Sequence, residues 1–392
     1  MSELYIGRGN PKLFDDYMDF LNYVFGFDGR ENDFKKLLPK LYKKEYDPAS
    51  KSYLVMENQK IKAAVGVYEN DISVCGMKLH GAGLGNVAVH PYESSKGYMK
   101  KLMHMAIEDM KKEKIDYTVL GGQRQRYNYF SYENAGVSYR FRITDANMRH
   151  CSAKPDPALD VQKTRLKMEP VEEHHAEALN MIARMYQSQK YVPKRKRTEL
   201  YNILCSWGAR PYALKENGKM IGYCVLGDAS VSEILVDDPG YLLDAVWTIV
   251  AEKGTVDVVL PDFLPEYLEI LETVAEETMV ETDKMFSVLC FARVIQAFMT
   301  LKAGYTILPD GEFTALIHGC GGDEKLFFSV KENVITVEEI FADSQKEPEI
   351  ELSHLEAMRF FFAPVCEKRR HMPYYVQCWL PLPLWMYSAD NV

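Results

Sequence analysis

The 392-residue chain predicts an α/β protein with mixed sheets, divided into two or three domains. Three observations carry this expectation. Residues 52–89 alternate short apolar runs with turns, as an antiparallel meander does. Residues 87–120 then read strand, helix, strand, and the same order of elements returns over 212–260. The meander that precedes each crossover argues for α+β mixed sheets over a doubly wound parallel one.

Residues 1–48 read as helical after a short extended start. Leu13, Tyr17, Phe20, Leu21 and Val24 share one side of a helix, and Phe34, Leu37, Leu38 and Leu41 suggest a second, short one. Asp28, Glu31 and Asp33 lie between the two; they read as solvated loop acids in preference to a site for an amine. The runs 52–56 and 61–68 flank Glu57-Asn58-Gln59-Lys60 and predict a hairpin. Residues 73–79 and 84–89 are expected to continue its sheet.

The stretch 87–135 organises the rest. Val87-Ala88-Val89 has the β-branched character of a buried strand, which His90-Pro91 ends. Ser94-Ser95-Lys96-Gly97-Tyr98-Met99 turns into a helix with Met99, Leu102, Met103, Ala106 and Met110 as its apolar stripe. Lys111, Lys112 and Lys114 sit at its C-terminal end, where the helix dipole favours cations. Residues 115–120 form the next strand, closed by Gly121-Gly122. A helix entrance offers backbone N–H groups without intrahelical partners and suits a phosphate, with Ser94 or Ser95 as candidate caps. The same residues also fit an ordinary crossover. No Walker-type spacing is present, and Gly81, Gly83 and Gly85 precede a strand, the wrong context for a dinucleotide loop.

Farther on, Tyr53-Leu54-Val55-Met56-Glu57-Asn58-Gln59-Lys60-Ile61 is repeated in pattern by Tyr212-Ala213-Leu214-Lys215-Glu216-Asn217-Gly218-Lys219-Met220. Strands at 233–236 and 256–260 and a helix at 241–251 follow. Asp237-Asp238-Pro239-Gly240 replaces the phosphate turn, and its aspartates would repel a pyrophosphate. The lysines and Pro155 and Pro157 of 151–165 suit a boundary between domains. Lys194-Arg195-Lys196-Arg197 reads as a solvated basic face, and His174-His175 as a surface helix start without a third metal ligand. In the last hundred residues, 286–301 reads as an apolar helix, 313–318, 326–330 and 334–337 as strands, and 352–362 as a helix with Ser353 as its cap. The proline-stiffened apolar end, 379–387, should dock against a core and carry the final carboxylate to a defined place.

Composition removes several function classes. With 47 basic against 56 acidic residues the formal net charge is −9, which argues against a nucleic-acid partner and is compatible with a cationic substrate. Eight scattered cysteines, none in a Cys-x-x-Cys pair, point to a reducing cytosol. No signal peptide is read at the start and no apolar run reaches spanning length, so a cytoplasmic protein without a membrane partner is expected.

Val87-Ala88-Val89-His90-Pro91 with Lys96-Gly97-Tyr98-Met99 resembles the acetyl-CoA motif of the GNAT N-acetyltransferases. Residues 120–133, with Tyr127-Asn128-Tyr129-Phe130-Ser131-Tyr132, resemble the end of that domain. The form is most similar to the Eis-like branch, over roughly residues 50–140. Departures are Ser94 and Ser95 at the loop, Met99 after the glycine, and Ser131 at the tyrosine-rich end. The resemblance implies tandem GNAT-like domains and a sterol-carrier-like C-terminal domain: 1–150 the acetyltransferase domain, 151–284 a degenerate copy, 285–392 the third.

It further implies acetyl-CoA as co-substrate and a small amine as acceptor: a polyamine, an aminoglycoside-like molecule or a lysine side chain. Val87 and Val89 match the pantetheine-binding strand. Ser95, Lys96, Gly97, Tyr98, Met99 and Lys100 match the pyrophosphate loop, with Gly122 and Gln123 beyond the next strand. Tyr127 matches the catalytic tyrosine, the Val392 carboxylate the base, with Asp390 close by as a substitute. Assembly into a homo-oligomer is also implied. The alternative, motivated by Ser94 and Ser95, is a non-catalytic binding or regulatory protein whose C-terminal domain holds an apolar ligand.

Overall fold

The computed structural model describes residues 4–27, 29, 32–151, 165–228, 230–340 and 347–392. Two seven-stranded mixed sheets, a three-stranded and a four-stranded one make up its β-structure. The first large sheet runs, edge to edge, Leu4–Arg8, Ser52–Glu57, Lys60–Glu69, Gly81–Val89, Tyr117–Leu120, Lys284–Val288 and Glu133–Ala135. Its hairpin turns on Asn58 and Gln59, both at positive φ, as a two-residue turn of this hand requires. The helix Tyr98–Lys112 covers one face through Leu102, Met103, Ala106 and Met110. The helix Phe14–Phe25 covers the other through Phe14, Tyr17, Met18, Phe20 and Leu21.

The second sheet repeats the plan with Leu166–Pro170, Arg210–Glu216, Lys219–Leu226, Ser230–Val236, Val256–Pro261, Ser138–Ile143 and Glu277–Glu281. In each large sheet one pair is parallel, the pair bridged by the crossover helix. The expected boundaries at 150 and 284 therefore cut across the sheets. Ser138–Ile143 pairs within the second sheet, and Lys284–Val288 lies between two strands of the first. Residues 152–164, with Pro155 and Pro157 of the expected linker, lie outside the described residues, as do Asp28 and Glu31. Asp33 caps the short helix Phe34–Leu37 through its side chain.

Two sequence expectations are corrected. Residues 73–79 do not extend the first sheet: Cys75 and Gly76, both at positive φ, fold them into the hairpin Ile72–Val74 and Met77–Leu79, which pairs with Tyr191–Pro193. Residues 286–288 are not helical. Phe286 and Val288 are fully buried in the first sheet, and the helix starts at Phe291, where both oxygens of Glu324 accept its first N–H groups. An apolar run of this length fits a helix or a buried strand equally; pairing with 117–120 decides it.

The four-stranded sheet, Val334–Glu339, Gly322–Lys331, Gly311–Gly319 and Ile350–Ser353, packs against Phe291–Ala303 and His354–Phe362. Ser353 and Glu356 form a capping box at the latter. Phe313, Phe328, Phe360 and Phe361 fill the space between sheet and helix with rings in mutual contact. From there the tail runs back across the molecule, with Leu382, Leu384, Trp385, Met386 and Tyr387 buried.

Candidate active site

Gly81–Val89 and Tyr117–Leu120 pair in parallel only from Gly81↔Tyr117 to Leu84↔Leu120. Beyond Leu84 the two strands part. Asn86 stands at positive φ, and a register shift against Lys60–Glu69 marks the bend. The Asn86 amide donates to Tyr42 Oη and, at 3.4 Å, to Tyr17 Oη, which holds the bend under a buried tyrosine cluster. His90 N donates to Lys62 O at 2.9 Å. By strand alternation Ala88 faces the same neighbour, so the backbone groups of Val87 and Val89 turn to the open edge.

At the mouth of this opening the helix Tyr98–Lys112 begins. Gly97 precedes it at φ 70°, with nothing within 4 Å of where a Cβ would stand. No side chain caps the helix, so neither Ser94 nor Ser95 takes that role. The N–H groups of Tyr98, Met99 and Lys100 are therefore left to an external acceptor. Ser95 and Lys100 are exposed, and the Lys100 ammonium lies 4.7 Å over the Tyr129 ring. The Lys96 ammonium is 2.6 Å from Glu93 and 3.6 Å from Glu57, so acid neighbours already balance its charge. In the second sheet the matching turn is closed: Asp238 Oδ1 accepts from Gly240 N at 2.8 Å. An open strand edge and an uncapped helix entrance with room above Gly97 fit a phosphopantetheine thioester, and the second unit lacks that entrance.

Tyr127 lies in the short helix Arg124–Asn128, whose start is fixed by Arg126 N and Tyr127 N donating to Gln123 O. Its ring packs on Gly122, where a Cβ would come 2.3 Å from Cε2. Burial raises its phenol pKa, outweighing the nearby Arg126, so the hydroxyl is protonated at neutral pH and able to donate. Among the described residues it has no hydrogen-bond partner. Tyr132, next to it in the cluster, is instead bonded to Thr118.

Val392 comes to the same parting from the opposite face. It is buried beside Tyr17, Tyr42, Tyr68 and Ala88. A Cβ on Gly83 would stand 2.4 Å from Val392 Cγ2, and one on Gly85 3.6 Å from the Val392 carbonyl carbon. The alternate glycines thus clear one strand face for the tail. That signal was present in the sequence as Gly81-x-Gly83-x-Gly85, a pattern that marks close approach of another backbone.

Lys40, buried, donates to Ala389 O at 2.6 Å and Asn391 O at 2.7 Å. Burial lowers its pKa to about 7, against the pull of Asp390 and with a push from Arg195. Asp390 is engaged by Arg195 at 2.9 and 2.7 Å, which removes it as a ready substitute base. The expected solvated face is corrected at this residue: the Arg195 side chain has 0% exposure, whereas Lys194, Lys196 and Arg197 are exposed.

A cavity of about 390 Å³ between the first unit and residues 194–203 ends on Val392. Glu45, Glu69, Asp71 and Glu199 line it with Lys51, Lys194 and Lys196. Lys194 bridges Glu69 and Asp71, and Lys196 pairs with Glu199, which leaves Glu45 without a cation among the described residues. No group of three or more His, Cys, Asp or Glu is placed to hold a metal, and no helix is long and apolar enough to cross a membrane, among the described residues.

Residues 6–138 match the family model described as an acetyltransferase (GNAT) domain. The chain as a whole has the fold of several solved structures. A GCN5-related N-acetyltransferase from Anabaena variabilis is 12% identical, with 98% of each chain covered and a TM-score of 0.65. One from Kribbella flavida is 14% identical, covering 97% of this chain and 96% of that one, at 0.63. Eis1 from Mycobacterium abscessus is 12% identical over 100% of both chains, at 0.61. No curated protein matches the chain.

Proposed function

We propose that the protein is an acetyl-CoA-dependent N-acetyltransferase that acts on a primary amine of a small molecule or lysine side chain. Acetyl-CoA supplies an acetyl group activated as a thioester. The Val87 and Val89 backbone groups bind the pantetheine arm along the open edge, and the N–H groups of Tyr98, Met99 and Lys100 hold the diphosphate. An acceptor ammonium, with a pKa near ~10.4, must lose a proton before its nitrogen attacks. The terminal carboxylate of Val392 accepts that proton, directly or through a water. As the new C–N bond forms and the C–S bond breaks, Tyr127 Oη donates a proton to the departing sulfur, and the nitrogen's second proton, lost as the amide forms, restores the tyrosine directly or through solvent.

The observation that carries this reading is the seating of Val392 over Gly83 and Gly85 where the strands part. It sets a cavity lined by both carboxylates and lysines, with Glu45 unpaired among the described residues, beside a carboxyl group and a splayed edge. The test is release of free thiol from acetyl-CoA across a panel of polyamines, aminoglycosides and lysine peptides. Turnover with at least one amine, lowered about 100-fold by Tyr127→Phe, is expected. Full activity in Tyr127→Phe removes that residue from the mechanism, and no turnover with any amine favours a binding protein.

A further inference from the structure

The last residues of the chain are held by an ion-pair cluster that the proton transfers do not use. The Arg195 guanidinium meets Glu233 at 2.8 and 2.7 Å and Asp390 at 2.9 and 2.7 Å, and all three side chains are nearly or fully buried. Tyr223 Oη also donates to Glu233, and the guanidinium lies 4.9 Å over the Tyr186 ring and 5.5 Å over Tyr387. Removing three charges from water carries a large desolvation cost, which packed apolar side chains would avoid. What an apolar contact lacks is register: a bidentate fork fixes Asp390 in position and orientation.

Glu233 has a telling place. Ser230–Val236 pairs in parallel with Val256–Pro261 only at Ser230↔Asp257 and Val231↔Val258. Glu233 therefore sits just past the parting of the second sheet, as Gly85 and Asn86 do past the parting of the first. The second unit keeps the parted strands, closes the phosphate turn with Asp238, and sets just past the parting a carboxylate that holds Arg195, whose guanidinium grips the tail at Asp390. From the first unit Lys40 grips it at Ala389 and Asn391.

We propose that the second GNAT-like unit is a tail anchor: Glu233 and Arg195, acting with Lys40 from the first unit, are positioning residues that set the Val392 carboxylate for proton transfer. The proposal rests on the reading of Val392 as the base. Displacement of a reacting group by about 1 Å costs on the order of 100-fold in rate, so a loosened anchor acts on turnover and not on carrier binding.

The test compares full-length protein with Arg195→Lys, which keeps the charge and loses the fork, and Lys40→Met, which keeps bulk and loses two donors. Each is also made in a chain ending at Asn391. Expected are a kcat lowered at least ~10-fold in each variant that folds, with the acetyl-CoA KM within about twofold, and no further loss when either variant is added to the chain ending at Asn391. Should Arg195→Lys fail to fold, Lys40→Met carries the comparison. Unchanged turnover on removing Val392 overturns the base and the anchor together. A chain that needs Val392 but tolerates both variants, or in which their losses multiply with its removal, overturns the anchor alone.

Discussion

At Gly83 any side chain would collide with Val392 Cγ2, so this one position tests whether the tail must lie on the strand. Gly83→Val is expected to lift the last residue while the Lys40 and Arg195 contacts keep the rest of the tail in place. Activity should fall at least ~10-fold, with the stability change limited to the ~1–3 kcal/mol of an overpacked site, read from denaturant unfolding. Retained turnover would show that Val392 need not sit there. Single residues also show the limit of sequence reading. The strand at Val87–Val89 and the helix entrance at Gly97 were legible because their places follow from neighbours a few positions away; the roles of Val87, Val89 and Tyr127 are what the resemblance implies. Arg195 and Lys40 were not: their partners lie 195 and 349 positions off, and a run of four basic residues carries no mark of which one folds inward. The three alternate glycines were visible, but what they make room for was not.

At the scale of elements, strand, helix, strand and hairpin followed from local pattern, and the misread segments were those settled by distant pairing. Residues 286–288 become a strand because a slot exists between Tyr117–Leu120 and Glu133–Ala135, and residues 73–79 become a hairpin that meets Tyr191–Pro193. The helix His354–Phe362 yields a pH prediction. His354 Nδ1 accepts from Cys320 N at 3.0 Å, so a neutral ring carries its proton on Nε2, 3.0 Å from Ser287 Oγ. That tautomer cannot act as a base toward the serine. Burial lowers the His354 pKa to about 4. The unfolded ring, near ~6.5, binds a proton that the folded one refuses, so the unfolded state holds more protons between those values. Stability should fall as pH drops from about 6.5 to about 4, by up to roughly 3 kcal/mol, and level off below. Urea unfolding across that range checks it, and His354→Gln should flatten the slope. An unchanged slope would assign the acid sensitivity to other groups.

Across the whole molecule, the two large sheets exchange strands with neighbouring stretches of chain. Phe286 at 0% exposure completes the first sheet from outside the first 150 residues, and Phe141 at 1% completes the second from within them. A fragment ending at residue 150 should therefore fail to give a dispersed amide spectrum or a cooperative melt, while the full chain unfolds in a concerted transition. A well-folded fragment would show that the first unit does not need the borrowed strand. This interlocking gives the tail two platforms, one on each unit, from which to reach the parted strands.

The most direct measurement is a crystal structure of the full chain soaked with acetyl-CoA. The account predicts the pantetheine arm along the Val87–Val89 edge, the diphosphate on the Tyr98, Met99 and Lys100 N–H groups, and the sulfur within hydrogen-bond reach of Tyr127 Oη. Carrier bound elsewhere, or an opening closed by protein in its presence, would contradict it.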